Sequence, residues 1–293
     1  MLEFLPTEDV KISENEPLSR HSSMKTGGPA AVAAFPKTTE ALINLIRAAG
    51  EHGLRHVIVG NASNILFDDR GFNGLVIFTT GLRGVYWKED NVRAECGVSL
   101  TALAGKAAER GLSGLEFAYG IPGTVGGAVY MNAGAYGAET ADILVSSEYL
   151  RDGATLSRGK HEHEFAYRSS VYRKTGEVIL SATFLLTPDD AAAVKARSDA
   201  NPPARKEKQP LEYPNAGSIF KRPQGAFAGA LIEDAGLKGL RIGGSAVSEK
   251  HAGFIVNLGG ATTDDVLRLI EAVRSEVFKQ TGVLLEPEVI HIQ

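Results

Sequence analysis

The groups best suited to chemistry in this chain of 293 residues are backbone amides in a glycine-rich stretch. Residues 114–137 read GLEFAYGIPGTVGGAVYMNAGAYG, and Glu116 is their single charged side chain. Glycine permits positive φ and close approach to the main chain, and successive exposed N–H groups form anion sites. A tight buried turn would also use glycine. The length of the run, with Pro122 fixing φ, favours a pyrophosphate site instead.

A second candidate site follows a predicted strand. The β-branched run HVIVG (56–60) leads directly into NASNIL (61–66), which places polar residues on a turn at the strand's C-terminal end. Ser63 and Asn64 could donate to a phosphate or could close the strand as an Asx or Ser turn, and this segment alone leaves both readings open. Neither GxGxxG nor GxxxxGK[ST] occurs in the chain, so no Rossmann or P-loop site is predicted.

Alternating helix and strand patterns must position these groups. TTEALINLIRAAG (38–50) predicts an amphipathic helix capped by Thr38 or Thr39, and SLTALAGKAAERG (99–111) predicts a second helix capped by Ser99. Predicted strands lie near 84–88, 91–96, 143–150 and 177–187.

A third unit is predicted beyond residues 188–203, which begin with helix-favouring residues and end in a Pro pair that suggests a boundary. The remainder alternates as strand (GSIF), helix (AFAGALIEDAG), strands (GSAVS, GFIVN), helix (TTDDVLRLIEAVRSEVFKQTG) and strand (VLLEPEVIHI). The whole pattern predicts an α+β fold of two or three packed units.

Composition excludes several classes of function. A net charge of −4 argues against a nucleic-acid surface, and no apolar run approaches the 18 or more residues of a membrane span. The acidic N-terminal stretch lacks the pattern of a signal peptide. The lone Cys96 is predicted to be a core residue in a reducing compartment. HEHE (161–164) lacks a zinc-motif pattern and is predicted to be a solvent-facing strand, so no metal site is expected.

Six further segments accompany the glycine stretch in a specific order: MKTGG (24–28), GNASNIL (60–66), YRSSVYR (167–173), NAGSIFKRP (215–223), SEKHAGFIVN (248–257) and LEPEV (285–289). Together with GIPGTVGGAVYMNAGAYG, these segments resemble the UDP-N-acetylenolpyruvoylglucosamine reductases, which are FAD enzymes of peptidoglycan precursor synthesis. The resemblance covers about residues 20–291.

The resemblance implies a fold and a reaction. The fold is a two-lobed FAD-binding domain of the PCMH/vanillyl-alcohol-oxidase type, with lobes at residues 1–80 and 81–200, and a C-terminal α+β substrate-binding domain at 201–293. In the reaction, NADPH reduces FAD, and a hydride then passes to the enolpyruvyl ether of UDP-N-acetylglucosamine. The resemblance implies a cytoplasmic enzyme with a nucleotide-sugar substrate. Nucleic acid, membrane and an obligate protein partner are not expected.

The same resemblance assigns three catalytic roles. Arg168 would stabilise the substrate carboxylate as negative charge grows, Ser218 would give a proton to C2, and Glu288 would orient a water or share a proton with the intermediate. On a regular strand Glu286 would share a face with Glu288. The LEPEV motif, and not geometry, selects Glu288.

Binding residues are assigned by the same motifs. Tyr167, Lys208, Lys221 and Arg222 would bind substrate. Arg222 stands where many family members carry Asn, and Ala62 replaces a common glycine with the addition of a methyl group. The predicted cofactor-binding residues are Gly60, Asn61, Ala62, Ser63, Asn64, Ile65, Gly120, Pro122, Gly123, Thr124, Gly126, Gly127, Ala128, Asn132 and Gly134.

The spacing of two motifs indicates a branch of the family. Fifty positions separate Arg168 from Ser218, and this spacing resembles the family branch that lacks a Tyr-bearing insert.

Two rival functions must explain the same residues. One rival is another flavoprotein with the same two FAD lobes, such as an oxidase of alcohols. The other is a nucleotide-sugar binder without catalysis. The nucleotide-sugar motifs disfavour the first, and the joint presence of Arg168, Ser218 and Glu288 disfavours the second.

Overall fold

The structure, a computed structural model, describes residues 4–293. Its strands are β1 Val10–Pro17, β2 Pro29–Pro36, β3 His56–Val59, β4 Ile65–Phe67, β5 Phe72–Phe78, β6 Val85–Lys88, β7 Asn91–Glu95, β8 Leu112–Ser113, β9 Gly134–Ala135, β10 Ala138–Glu139, β11 Leu144–Arg151, β12 Ala154–Gly159, β13 Val178–Leu185, β14 Thr187–Pro188, β15 Asn215–Ser218, β16 Arg241–Ile242, β17 Ser245–Val247, β18 Phe254–Asn257 and β19 Ile290–Ile292. Its α-helices are α1 Thr39–Glu51, α2 Leu100–Glu109, α3 Val125–Met131, α4 Thr140–Ile143, α5 Tyr172–Thr175, α6 Ala191–Lys208, α7 Ala228–Asp234 and α8 Thr263–Thr281. Short 3₁₀ helices cover Leu18–Arg20, Thr79–Gly81, Glu116–Ala118 and Lys160–His163.

Side-chain hydroxyls cap the starts of α1, α2, α3 and α8, and at α3 the Thr124 hydroxyl accepts from the Gly127 amide. Thr38 accepts a hydrogen bond from the Ala41 amide at the start of α1, and Ser99 caps α2 in the same way. At α8, the Thr262 hydroxyl accepts from the Asp265 amide while the Asp265 carboxylate accepts from the Thr262 amide. These caps satisfy helix N–H groups that have no partner within the helix, and they confirm the predicted starts of α1 and α2.

The chain forms two compact units. The first comprises residues up to Glu14, Val32–Asn61 and Gly74–Ala204. It contains an antiparallel five-stranded sheet in the order β12-β11-β13-β7-β6. Most residues of a four-stranded sheet, β1-β2-β5-β3, also belong to this unit, and β3 and β5 are parallel. Unit 1 therefore presents the strand end at β3 and the glycine stretch on the same folded body.

The second unit gathers Asn15–Ala31, Ala62–Asn73 and Arg205–Gln293. Its antiparallel sheet has the order β15-β18-β17-β16, and helix α8 packs on β16 and β17. The core of this unit is apolar and includes the fully buried side chains of Met24 and Leu66 from the two early segments. Unit 2 thus builds one hydrophobic core from three separate stretches of chain.

The HEHE prediction is wrong, because residues 160–163 form a 3₁₀ helix and not a solvent-facing strand. The Glu162 carboxylate accepts from the Gly159 amide at 2.6 Å, and the buried His163 ring bonds the Gly159 carbonyl. These two local bonds and the burial of the imidazole favour the turn over an extended segment.

Two other predictions are corrected. Helix α6 continues through the Pro pair to Lys208, where the amide of Gln209 still donates to Arg205 O, because good helix formers follow the prolines. The predicted C-terminal strand is limited to β19, since Pro287 lacks an amide donor and the Leu285 carbonyl is taken by Arg274. Glu286 and Glu288 therefore do not lie on a regular strand.

Two kinds of feature are absent from residues 4–293. None of the helices there is long and apolar enough to cross a bilayer. Within the same residues, no group of three or more His, Cys, Asp and Glu side chains is placed to hold a metal ion.

Candidate functional site

Unit 1 brings the strand end at residues 60–61 together with residues 122–124 of the glycine stretch. The Asn61 side-chain amide donates to Pro122 O at 2.7 Å. Gly60 lies so close to Thr124 that a Cβ at position 60 would stand 2.4 Å from the Thr124 Oγ1. Two segments predicted separately to bind the cofactor therefore form one surface.

A cleft of about 380 Å³ adjoins this surface. Arg83 and Lys106 supply two exposed cations, and Arg83 Nε donates to Thr80 O at 2.9 Å. Within the part of the chain that the structure describes, no carboxylate lines the cleft. Besides Asn61 and the Pro122–Thr124 stretch, the lining comprises Thr80, Arg83, Val85, Gly97, Val98, Ser99, Ala102, Leu103 and Lys106.

Sequence reasoning missed these additional lining residues. A usable signal was present, because β7 is followed by Gly97 and the capping Ser99, as β3 is followed by Gly60 and Ser63. Gly97 is required by packing, since a Cβ there would lie 1.7 Å from Thr79 O. Asn61, which follows β3, and Gly97 and Ser99, which follow β7, all line the cleft.

The glycine stretch itself is less open than its sequence suggests. The amides of Val125 and Gly126 donate to the carbonyls of Val98 and Cys96, at 2.9 and 2.8 Å. A Cβ at Gly126 would lie 2.9 Å from the Cys96 Cβ, so this glycine is needed for packing whatever else it does. Cys96 is buried as predicted, and burial raises the pKa of its thiol to about 12.

Arg168 lies in a two-residue turn between Ala166 and Ser169. These two residues exchange N–H···O bonds of 3.1 and 3.0 Å, which leaves Tyr167 and Arg168 at the tip. Arg168 has φ of 54°, a left-handed backbone that costs free energy for a residue with a Cβ. Its guanidinium stands 5.0 Å from the centre of the Tyr167 ring.

Three hydrogen bonds tie this hairpin to the glycine stretch. Asn132 donates from its amide to Ala166 O at 3.2 Å, and Ser170 Oγ donates to Tyr130 O at 2.8 Å. Arg168 Nη2 donates to Gly134 O at 3.1 Å. Unit 1 therefore places the predicted carboxylate-binding arginine beside Asn132 and Gly134, both predicted to bind the cofactor. The Asn132 side chain also accepts from the Ala141 amide.

A buried polar network lies under the hairpin. Ser147 Oγ is 2.7 Å from His163 Nε2 and 2.5 Å from the Tyr172 hydroxyl. Arg158 Nη1 donates to Glu177 Oε2 at 2.8 Å. Burial alone would raise the pKa of Glu177, but hydrogen bonds from Arg158 and its neighbours outweigh it and hold that pKa at about 2. Burial lowers the pKa of His163 below its ordinary 6.5, so the ring is neutral at pH 7.

Unit 2 places Ser218 and Glu288 on paired segments. Ser218 ends β15, is half-buried, and donates from Oγ to Phe220 O at 3.3 Å. The Glu288 amide donates to Ile219 O at 2.7 Å. Asn64, predicted to bind the cofactor, donates from its side chain to Glu288 O at 3.1 Å. Asn64 therefore fixes the backbone of a predicted catalytic residue.

Ala62 is expected to differ from the common glycine only by a methyl group, and the structure shows a second difference. It is buried with φ of 48°, so the alanine adds left-handed backbone strain as well as a methyl group. Its carbonyl accepts from Ser23 Oγ at 3.4 Å. Of the other predicted cofactor residues, Ile65 begins β4, Ala128 is buried in α3, and the Gly120 amide donates to Thr101 Oγ1.

The predicted substrate-binding residues are divided between the units. Tyr167 belongs to unit 1, whereas Lys208, Lys221 and Arg222 belong to unit 2. Lys221 pairs with the Glu286 carboxylate, and Lys208 is exposed at the end of α6. The Arg222 guanidinium lies 4.0 Å from the centre of the Phe227 ring. Glu286 thus acts as the counter-ion of a predicted substrate-binding cation.

Comparisons with known proteins match both parts of the chain. Residues 29–158 match an FAD binding domain model, and residues 209–292 match the model described as the C-terminal domain of UDP-N-acetylenolpyruvoylglucosamine reductase. The reductase of Caldicellulosiruptor bescii is 45% identical over 289 residues, which is 98% of this chain and 92% of the relative. That of Lactobacillus delbrueckii subsp. bulgaricus is 46% identical over 286 residues, 97% and 96% of the two chains. The crystal structure of the Thermus caldophilus reductase superposes with a TM-score of 0.83 at 34% identity, covering 97% of this chain and 99% of the other.

Proposed function

The chain belongs to the UDP-N-acetylenolpyruvoylglucosamine reductase family, and on that basis we propose how its residues share the work of the reaction. The protein is an FAD-dependent oxidoreductase that uses NADPH to reduce the enolpyruvyl ether of UDP-N-acetylglucosamine enolpyruvate to UDP-N-acetylmuramate, in peptidoglycan precursor biosynthesis. Bound FAD supplies the two-electron carrier that links NADPH to the substrate.

The cleft of unit 1 suits the adenine nucleotide half of FAD. Its apolar lining accepts a ring system, and Arg83 and Lys106 offset the charge of a diphosphate, since none of the lining residues within 4–293 is a carboxylate. Asn61 and Pro122–Thr124 line the cleft, and Gly60 packs against Thr124, which supports the predicted cofactor role of these segments. In this proposal residues 1–80 and 81–200 are the FAD-binding lobes and 201–293 the substrate domain.

The observation that carries the proposal is the hydrogen bond from Arg168 to Gly134 O. Hydride addition at C3 of the enolpyruvyl group leaves negative charge at C2 and on the conjugated carboxylate. A guanidinium held against the glycine stretch, with a planar fork that pairs with a carboxylate, meets that charge where it develops. Arg168 is therefore assigned to the substrate carboxylate.

Ser218 and Glu288 complete the proton chemistry. Ser218 Oγ now donates to a backbone carbonyl, and rotation about its Cα–Cβ bond frees the same proton for C2. Glu288, on the segment hydrogen-bonded to Ile219, is assigned to orient a water or to share the proton. Lys208, Lys221, Arg222 and Tyr167 are assigned to the nucleotide-sugar.

The cellular setting is part of the proposal. We place the enzyme in the cytoplasm, because its single cysteine, Cys96, is a buried thiol suited to a reducing compartment. Through its product it would serve cell-wall biogenesis, cell shape, the cell cycle and cell division. No obligate protein partner is proposed.

Spectroscopy of the purified protein tests the proposal. A flavin spectrum that NADPH bleaches, and that the enolpyruvyl nucleotide-sugar then restores without oxygen, is the expected result. If an aldehyde or ketone, the oxidation product of an alcohol, restores the flavin spectrum and the nucleotide-sugar does not, the protein is another flavoprotein. A colourless protein that stays colourless after incubation with FAD, yet binds the nucleotide-sugar, would identify a non-catalytic binder.

Lys208→Ala tests the substrate assignment separately. Because an exposed ion pair contributes about 1 kcal/mol or less, the KM for the nucleotide-sugar should rise by roughly three- to fivefold while bleaching by NADPH is unaffected. Lys279→Ala, an exposed lysine of α8, is the matched control. An unchanged KM in Lys208→Ala would place Lys208 on a solvated face.

A further inference from the structure

The hairpin that carries Arg168 is closed at its base by His163. The His163 carbonyl accepts from the Val171 amide at 2.7 Å, and Ala166 pairs with Ser169 nearer the tip. The backbone from 163 to 171 is therefore a small closed loop whose position depends on what holds His163. The side chain of His163 is fully buried, and hydrogen bonds at both of its ring nitrogens fix its position.

The imidazole of His163 has a defined tautomer. Nδ1 lies 2.8 Å from the Gly159 carbonyl, which can only accept, so Nδ1 carries the proton. Nε2 is then an acceptor for the Ser147 hydroxyl at 2.7 Å. With its proton given to His163, Ser147 Oγ accepts from the Tyr172 hydroxyl. The Arg158 guanidinium lies 4.9 Å from the centre of the Tyr172 ring, so a positive charge stands beside this network.

We propose that His163 is a positioning residue for the reaction, and that its neutral ring holds the 163–171 hairpin so that Arg168 meets the substrate carboxylate. This inference rests on the proposed role of Arg168. The His163 ring stacks on Phe165 of the hairpin with the ring centres 5.1 Å apart, and the His163 carbonyl bonds Val171, so His163 acts through the base of the hairpin.

Protonation would oppose this arrangement. A proton on Nε2 turns the acceptor into a donor, so the hydrogen bonds through Ser147 and Tyr172 must reverse, and the new positive charge is buried in the same network as Arg158. The charged groups that face the ring are Arg158 on β12, which disfavours the cation, and Glu162 on the same turn, which favours it. Glu177 faces the network, and it is already paired with Arg158.

The protonation of His163 sets the direction in which the reaction rate changes with pH. Because burial keeps the pKa of His163 below 6.5, the hairpin is held at neutral pH and is released as pH falls below that value. The rate of the enolpyruvyl half-reaction should therefore decline on the acid side of pH 6.5. Bleaching of the flavin by NADPH, which needs no substrate carboxylate, should decline less.

Variants of the holoenzyme test the inference by stopped-flow absorbance of each half-reaction. His163→Phe should slow restoration of the flavin by the enolpyruvyl substrate about tenfold or more, with bleaching by NADPH within twofold of the wild type. His163→Gln, whose amide can accept from Ser147 without titrating, should recover most of the rate and flatten the acid-side decline. His161→Gln, the exposed neighbour, is the control and should behave as wild type.

Other outcomes would overturn the inference. Equal slowing of both half-reactions in His163→Phe, or no slowing of either, would leave His163 only a structural residue. If His163→Phe does not fold, a His163→Gln profile with the same acid-side decline as wild type would refute the positioning role equally. Arg168→Lys separates the two proposals: if it leaves the enolpyruvyl step unchanged, the proposed function of Arg168 fails, whereas slowing in Arg168→Lys without slowing in His163→Phe refutes the inference alone.

Discussion

The Arg168 hairpin of unit 1 and the Ser218–Glu288 segments of unit 2 are held in place by different forces. Side-chain hydrogen bonds from Asn132 and Ser170, and a buried polar network, fix the hairpin. In unit 2, main-chain bonds pair the two segments, and Ile219 between them is buried in an apolar core.

The difference concerns how each region responds to change. Hydrogen bonds are directional, and a buried donor or acceptor that loses its partner bears the full cost of desolvation. Apolar packing has no direction, and its loss scales with the volume removed. The hairpin should therefore respond to pH and to single polar substitutions, and the Ser218 region to cavities.

The largest expected effect is on the core of unit 2. Ile219→Ala should lower the free energy of unfolding by about 2–5 kcal/mol, because it leaves a cavity beside Ser218. Urea unfolding measures this change. Leu284→Ala, at a side chain 61% exposed, is the control and should change stability by about 0.5 kcal/mol or less. A small effect at Ile219 would contradict the apolar description of unit 2.

Ser218→Ala should affect chemistry and not folding. Restoration of the flavin by the enolpyruvyl substrate should slow about a hundredfold or more, equivalent to about 2.7 kcal/mol, while bleaching by NADPH is preserved. Stopped-flow absorbance separates the two steps, and Ser275→Ala on α8 is the control. Equal slowing of both steps would give Ser218 a positioning role, and no slowing would mean that another donor protonates C2.

Adjacent glycines of unit 1 should separate packing from cofactor binding. Gly126→Ala should destabilise the flavin-free protein by about 1–3 kcal/mol, because its Cβ would press on Cys96. Gly127→Ala is the matched variant, since its Cβ would meet only Thr124 Oγ1, at 3.5 Å. Thermal unfolding and FAD titration should show loss of stability in the first and weaker FAD binding in the second. A stable Gly126→Ala protein would disprove the packing role.

Glu177→Gln should alter the acid response of unit 1 most modestly. The pKa of Glu177 is about 2, below its ordinary 4.5, so this carboxylate stabilises the fold above pH 4.5 and the contribution is lost as pH falls toward 2. The variant should be less stable at pH 7 and should lose less stability between those pH values. Urea midpoints across pH test this, with the exposed Glu51→Gln as control. Parallel pH profiles for the variant and the wild type would contradict it.

Local sequence signals predicted much of the fold. The hydroxyls of Thr38 and Ser99 marked helix starts because capping depends on a few neighbouring residues. The predictions failed where contacts with residues distant in sequence determine the local structure. The buried ring of His163 bonds Ser147, 16 residues away in sequence, and the Arg274 side chain bonds a carbonyl in the segment before β19.

The candidate site was predictable as residues but not as an arrangement. Family motifs named Arg168 and Gly134, yet the bond between them joins positions 34 apart in sequence. Arg83 and Lys106 belong to no motif, and only the folded cleft gathers them. The hydrophobic periodicity of the sequence does not predict such contacts, because the tertiary fold creates them.

The three-segment construction of unit 2 has a consequence for the growing chain on the ribosome. Met24 and Leu66 are synthesised early, but the apolar residues that bury them, such as Ile219 and Leu269, come from the last third of the chain. At about 5–20 residues per second, those two side chains wait on the order of ten seconds or more for their partners. During that interval they are exposed surface that a chaperone can bind. A fragment of residues 209–292 made alone would lack two of its own core side chains.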